Sequence, residues 1–156
     1  MIEYFLNLTE PKIIFCDETK VHRIKKVVDQ VKADVKIVVL NDVSGFESLN
    51  SIIKSQSAEE AAKLEVKDIE DVNEPAFILC TSGSTGYPKG VVLSCSWLVS
   101  FSSGFPDIPA INFWPANISW ASGVSNTFSN ILMGSTAIVH PKPDVEIILK
   151  IVEKYK

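Results

Sequence analysis

One run limits what this chain can fold into more than any other: Thr81-Ser82-Gly83-Ser84-Thr85-Gly86-Tyr87-Pro88-Lys89-Gly90. An apolar, strand-like segment, Ala76-Phe77-Ile78-Leu79-Cys80, leads in, and Val91-Val92-Leu93 leads out. The run is therefore a connection between strands, and its composition suits an anion. Glycines reach positive φ, which lets successive backbone N–H groups converge on one charge. The hydroxyls of Thr81, Ser82, Ser84 and Thr85 add donors without charge. Lys89 adds a mobile point charge suited to phosphate, and Pro88 stiffens the exit. A plain Ser/Gly-rich surface turn is the competing reading from composition alone.

Two other phosphate motifs do not fit. A Walker loop ends in Gly-Lys-Ser/Thr at a fixed distance from its first glycine, and neither Gly83 nor Gly86 has that sequence at that distance. The dinucleotide fingerprint opens a helix, whereas the residues after Gly90 are β-branched and read as strand.

Position by position, TSGSTGYPKG resembles the signature loop of the adenylate-forming superfamily: acyl-CoA synthetases, insect luciferases and peptide-synthetase adenylation domains. The resemblance extends to Pro11–Asp17 and Lys36–Leu40, which look like two of that family's strands. It extends also to Ser119–Gly123 and Leu132–Val139, which look like its aromatic-Gly helix and the following strand. The insect luciferase-like and medium- or long-chain acyl-CoA synthetase branch is nearest in character. Two positions depart from the pattern. Cys95 stands where many members carry histidine, and Ser119 and Trp120 stand where luciferases carry histidines, which argues against light emission. The family's later Tyr-Gly-x-Thr-Glu segment, its Thr-Gly-Asp segment and the lysine of its C-terminal domain are not found in these 156 residues.

The resemblance implies an α/β fold, a layered, mostly parallel sheet flanked by helices, and a single partial AMP-binding domain over residues 1–156 with its phosphate loop at 81–90. Alternation of strand-like and helix-like segments along the chain points to the same class. The implied reaction is ligation of a carboxylate, a fatty acid in this branch, to coenzyme A through an acyl-adenylate. ATP with Mg2+ is the implied cofactor, the Mg2+ ligand being expected outside this chain, and CoA is the co-substrate. Thr81, Ser82, Gly83, Ser84, Thr85, Gly86 and Lys89 are the expected phosphate-binding set, with Lys89 stabilising charge during catalysis. Gly90 supports the loop geometry. Trp120 and Gly123 are expected in the wall of the substrate pocket, and no residue is expected to bind metal. On this reading the chain is an ATP-binding segment of a ligase, inactive alone. The alternatives are a non-catalytic nucleotide-binding or interaction domain and a degenerate reading frame.

Composition agrees with a folded domain. Hydrophobic residues make up 46% and charged residues 22%, and a net charge of −4 gives no basic footprint for nucleic acid. Cys16, Cys80 and Cys95 have no metal spacing and are expected as small apolar core residues in a reducing compartment. The first residues, Met1-Ile2-Glu3-Tyr4-Phe5-Leu6, do not read as a signal peptide, and no apolar run has membrane-spanning length. An intracellular location follows, in cytoplasm or in the peroxisome used by some family members, although the Ser-Lys-Leu tail is lacking.

Periodicity predicts a helix capped by Thr19 and running to Lys32, with Val21, Ile24, Val27, Val28 and Val31 inward and His22 on the surface. Short helices are predicted around residues 46–53 and 58–64, and a hydrated acidic connector at 68–74. A helix over 96–103 is expected to turn Trp97, Leu98 and Phe101 inward, followed by a strand over 111–118 interrupted at Pro115. A helix over 123–133 is expected to bury Val124, Phe128, Ile131 and Leu132, with a short strand over 136–139 and His140 in a loop. Pro143 and Asp144 open a last helix. That helix is apolar nearly all round, so it predicts a larger body, a partner or self-association covering it.

Overall fold

The computed structural model describes residues 1–81, 86–102, 110–114, 117–140 and 144–155. It divides into two compact units, Met1–Asp68 and Ile69–Lys156.

The first unit runs α1 (Ile2–Thr9), β1 (Ile13–Cys16), α2 (Val21–Val31), β2 (Lys36–Val39), β3 (Glu47–Ser48), α3 (Leu49–Ser55) and α4 (Ala58–Ala62). Its three strands form one parallel sheet in the order β1-β2-β3, with Ile14 opposite Ile37 and Val39 opposite Ser48. Branched Ile and Val fill β1 and β2 because such side chains pack well on a pleated surface. The core forms around Cys16, Val21 and Val39, with Ile24, Ile37, Val43 and Phe46 packed against it. On α2, Val21 and Val28 are buried while His22 stays exposed with its ring edge-on to Phe46 at 5.4 Å.

Three local expectations change in this unit. Thr19 does not cap α2; its hydroxyl bonds Asp17, which also holds the Lys20 ammonium, and Lys20 occupies the cap position. The helix at 58–64 stops at Ala62 and leaves Leu64 fully outside the fold, 78% exposed. Ser48 and Ser57 instead supply capping boxes that set the starts of α3 and α4. Helix α1 was not anticipated, since Met1 at its cap makes no side-chain bond to announce it.

The second unit runs β4 (Pro75–Cys80), β5 (Gly90–Ser94), α5 (Cys95–Ser102), β6 (Ile111–Phe113), α6 (Ala121–Leu132), β7 (Thr136–Ile138) and α7 (Val145–Tyr155). β6 and β7 pair in parallel, with α6 as their crossover, so both units carry parallel strands flanked by helices. β4 and β5 are the exception: they form an antiparallel hairpin, with Cys80 opposite Gly90 and Leu79 opposite Val91. The connection over 81–89 is too short for a crossover, and only antiparallel strands can be joined that way.

Helix α6 shows the largest difference from expectation. Val124 is buried, but Ile131 and Leu132 are 70% and 62% exposed, while Ser125, Ser129 and Asn130 face inward. Small polar side chains occupy much of the buried face of α6. Thr127 donates to the Gly123 carbonyl and Asn130 to that of Asn126, while Asn130 Oδ1 accepts from Asn112 of β6 at 3.1 Å. Phe101 is also turned outward, 45% exposed, and stacks on Trp97 at 5.2 Å between centroids. The strand expected over 111–118 ends at Phe113, and Ile118 belongs to the turn before α6. Of the cysteines, Cys16 is buried, Cys95 half-buried and Cys80 exposed, so the last is not a core residue; all three are free. On α7, Ile147, Ile148 and Ile151 are half-buried while Val145, Leu149 and Val152 face outward. Asp144 caps this helix through the Ile147 amide at 2.8 Å, whereas Pro143 lies outside the described residues.

Candidate functional site

The site is built on the β4–β5 hairpin. Beyond the Cys80–Gly90 pair the two strands are tied once more, by the Thr81 amide donating to the Lys89 carbonyl at 2.9 Å. This bond closes the neck of the loop and brings the first hydroxyl residue beside the lysine. Thr81 and Lys89 are both exposed there. Gly86 has φ of 149°, a conformation that L side chains rarely adopt, so glycine is needed at that position. Gly90 is the first residue of β5. Ser82, Gly83, Ser84 and Thr85, the middle of the expected phosphate-binding set, lie outside the described residues.

Beside the neck is a pocket of about 340 Å³. Leu79, Cys80 and Thr81 line it from β4 and the start of the loop, and Val91 and Leu93 from β5. Ser119, Trp120 and Ala121 close it at the start of α6. The arrangement follows from strand alternation. Phe77, two residues before Leu79, meets Phe128 edge-on at 5.6 Å, so this side of the hairpin carries α6 along it. Leu79 then falls under the first turn of the helix.

Trp120 is the cap residue of α6, without a side-chain cap bond, and is 65% exposed. Gly123 does not line the pocket. It is buried, and a Cβ built on it would stand 2.2 Å from the Asn117 carbonyl oxygen and 2.7 Å from the Ile118 Cα. Its place is to let the 117–120 turn lie directly on α6, which in turn aims Trp120. Among the described residues, no cluster of His, Cys, Asp and Glu could hold a metal ion, and no helix is long and apolar enough to cross a membrane.

The sequence profile of AMP-binding enzymes matches residues 1–156. The chain belongs to the AMP-binding enzyme family. It is 26% identical to a luciferin 4-monooxygenase of Nipponoluciola cruciata over 97% of this chain and 30% of that protein. It is 34% identical to an acetyl-coenzyme A synthetase of Stutzerimonas stutzeri over 53% of this chain and 14% of the relative. ATP-bound MatB from Rhodopseudomonas palustris superposes with a TM-score of 0.77 and 25% identity, over 99% of this chain and 30% of that one. The chain thus spans under a third of the length of these relatives. The family joins acid–CoA ligases and luciferases, and its ligases use ATP and CoA. The fold is that of the N-terminal domain of adenylate-forming enzymes.

Sequence reasoning missed the floor of the pocket. Leu79 and Leu93 read only as strand residues, because alternation gives two faces and does not say which one a later helix will cover.

Proposed function

We propose that this AMP-binding chain supplies the phosphate-gripping part of an ATP-dependent acid–CoA ligase. Residues 1–156 are read as part of one nucleotide-binding domain. In the complete reaction a carboxylate oxygen attacks the α-phosphorus of ATP, an acyl–O–P bond forms, and the bond to the bridging oxygen of pyrophosphate breaks. The thiol of CoA then attacks the acyl carbon and AMP leaves, its oxygen keeping the bonding pair. Mg2+, when bound to ATP, screens the phosphate charge. Thr81, Ser82, Ser84 and Thr85 donate hydrogen bonds to the β- and γ-phosphates, and Lys89 offsets the charge that builds on the departing pyrophosphate. Trp120 walls the acyl side.

The observation that supports this reading is the neck: one bond, Thr81 amide to Lys89 carbonyl, pairs the backbones of a hydroxyl residue and a lysine at the mouth of a glycine-containing loop. The family's later motifs are absent from these 156 residues, so the isolated chain binds phosphate without turning over. The test is calorimetric titration with pyrophosphate and ATP, beside ATP–pyrophosphate exchange with fatty acids. Binding that falls at least about ten-fold in Lys89→Ala, with no exchange, is expected. Equal binding by wild type and variant removes the phosphate role, and robust exchange removes the claim of inactivity. The three free thiols accord with a reducing intracellular compartment.

A second reading, an interaction domain, is favoured by α7, where Val145, Leu149 and Val152 form an outward stripe that is 74%, 63% and 56% exposed. Self-association that rises with concentration in sedimentation runs favours it; a monomer throughout the range counts against it.

A further inference from the structure

We infer that the outer edge of β1 joins a second copy of this chain. β1 of one protomer lies antiparallel to β1 of its partner about a two-fold axis at Ile14, and the two three-stranded sheets become one. Nothing in this depends on the phosphate reading.

Three observations lead there. The first is the edge itself. In the order β1-β2-β3, β1 is terminal, and among the described residues it pairs with β2 alone. The carbonyls of Lys12 and Cys16 accept from the Lys36 and Leu40 amides, both at 2.9 Å. Backbone groups alternate sides along a strand, so the N–H and C=O of Ile13 and Phe15 point away from β2. The opposite margin of the sheet is guarded: β3 is two residues long, runs directly into α3, and its Glu47 pairs with Lys36. Very short and charged edges are devices against pairing. β1, Ile13–Cys16, has four uncharged residues and neither device.

The second is the register. Ile13 and Phe15 share one face and are 48% and 57% exposed, although parallel sheets normally cover both faces. With Ile14 on the axis, Ile13 of each protomer stands opposite Phe15 of the other, on that same face. These are also the pairs whose free N–H and C=O groups exchange bonds across an antiparallel ladder. A branched residue opposite an aromatic is a favourable cross-strand pair. Lys12 then meets Cys16, so no like charges oppose each other. Other registers are worse. A slip by one residue turns opposed side chains to opposite faces. Centring on Phe15 sets Ile13 against the Asp17 carboxylate, and centring on Ile13 sets Phe15 against Pro11, which has no N–H to give.

The third is the other face. Ile2, Phe5, Leu6, Thr9, Pro11 and Ile24 form with Ile14 a largely apolar groove of about 200 Å³. Across a non-hydrogen-bonded antiparallel pair the Cα atoms are about 4.5 Å apart, which brings Ile14 of the second copy to the side of that groove. Each face of the joined sheet thus gains an apolar contact. A four-residue strand buries less than the roughly 1,200–2,000 Å² of stable complexes, so the dimer is a weak one.

The experiment is sedimentation equilibrium of the 156-residue chain up to about 1 mM. A dimer that grows with concentration is expected. Phe15→Lys, at an exposed position, should weaken association at least about ten-fold with native circular dichroism. Leu149→Lys on α7 should leave it unchanged. The register is read by mild oxidation and peptide mass mapping. Ile14→Cys should form a disulfide between the two copies at position 14. Phe15→Cys should not link to itself, because its copies lie about 7–8 Å apart on the diagonal. A monomer throughout the range overturns the inference and leaves the β1 edge to a strand of another kind. Unchanged association in Phe15→Lys overturns it too, as does a link in Phe15→Cys without one in Ile14→Cys. If Ile14→Cys fails to fold, Phe15→Lys and Phe15→Cys still decide. Association lost in Leu149→Lys but kept in Phe15→Lys assigns the contact to α7 instead.

Discussion

The Cα of Gly123 sits so close beneath Asn117 that any side chain there would meet the Asn117 carbonyl oxygen, 2.2 Å from a built Cβ. The obstructing atoms are backbone, so they cannot rotate away as a side-chain tip would. Gly123→Ala must therefore push the 117–120 turn off α6. Overpacking of this kind costs about 1–3 kcal/mol. A lowered urea midpoint with an unchanged slope is expected. Because the same turn carries Trp120 into the pocket, the variant should also weaken binding of a fatty acid such as octanoate, which the ligase reading seats there; full stability in Gly123→Ala would show that the turn moves freely.

Ser129 gives a prediction of the opposite sign. Its hydroxyl is buried on α6 and has no hydrogen-bond partner among the described residues. An unmatched buried donor and acceptor carries a desolvation penalty of about 1–3 kcal/mol. Ser129→Ala removes the oxygen and raises helix propensity. The variant is expected to unfold at equal or higher denaturant concentration than wild type. A loss of stability would mean that the hydroxyl is solvated by an internal water.

These two positions show why the fold was readable and its packing less so. β1 and β2 were legible because Ile13, Ile14, Ile37, Val38 and Val39 are branched and contiguous, and few other structures suit such runs. The strands on either side of residues 81–89 were legible because apolar, β-favouring runs flank that stretch. The face of α6 was not. Counting apolar residues placed Ile131 and Leu132 inward, yet Ser125, Ser129 and Asn130 are buried and the two large residues are exposed. Close packing selects small side chains, and most of the buried polar groups are offset by hydrogen bonds, as in Thr127 and Asn130, with Ser129 the exception. Hydrophobic periodicity cannot register that choice. The pocket floor at Leu79 and Leu93 was hidden for a related reason, since it exists only once α6 has been laid on the hairpin.

Asp17 should contribute to the acid response of the first unit, alongside Glu60, whose carboxylate pKa is lowered by its bonds to Ser57. The Asp17 carboxylate accepts from the Lys20 ammonium and from Thr19, which holds its pKa at about 2 against an ordinary 3.8. Lys20 is raised above its ordinary 10.5 by the same partner. For a depressed carboxylate, the stabilisation is present above the unfolded value and is lost as pH falls through the folded one. The window is therefore between about 4 and 2. For the raised ammonium, the stabilisation is present below 10.5 and is lost as pH climbs past the folded value. Asp17→Asn should flatten both limbs of a plot of unfolding midpoint against pH. A plot unchanged from wild type would mean that this exposed cluster does not contribute.

The three thiols offer a map of the structure that needs no ligand, and then a check on the pocket. Burial pushes the Cys16 thiol pKa up, with the charge of Asp17 adding to the rise and that of Lys20 opposing it. Its thiolate is scarce as well as covered, and thiolate is the reactive form. Cys80 is exposed and Cys95 half-buried at the start of α5. Iodoacetamide at mild alkaline pH, followed by peptide mass mapping, should label Cys80 first, Cys95 more slowly, and Cys16 only as the first unit opens. Cys80 also lines the pocket, whereas Cys95 does not. A fatty acid such as octanoate, if seated there as the ligase reading proposes, should therefore slow labelling of Cys80 and leave Cys95 unaffected. Equal slowing at both thiols would show that the acid acts by general association with the chain rather than by filling the space between the hairpin and Trp120.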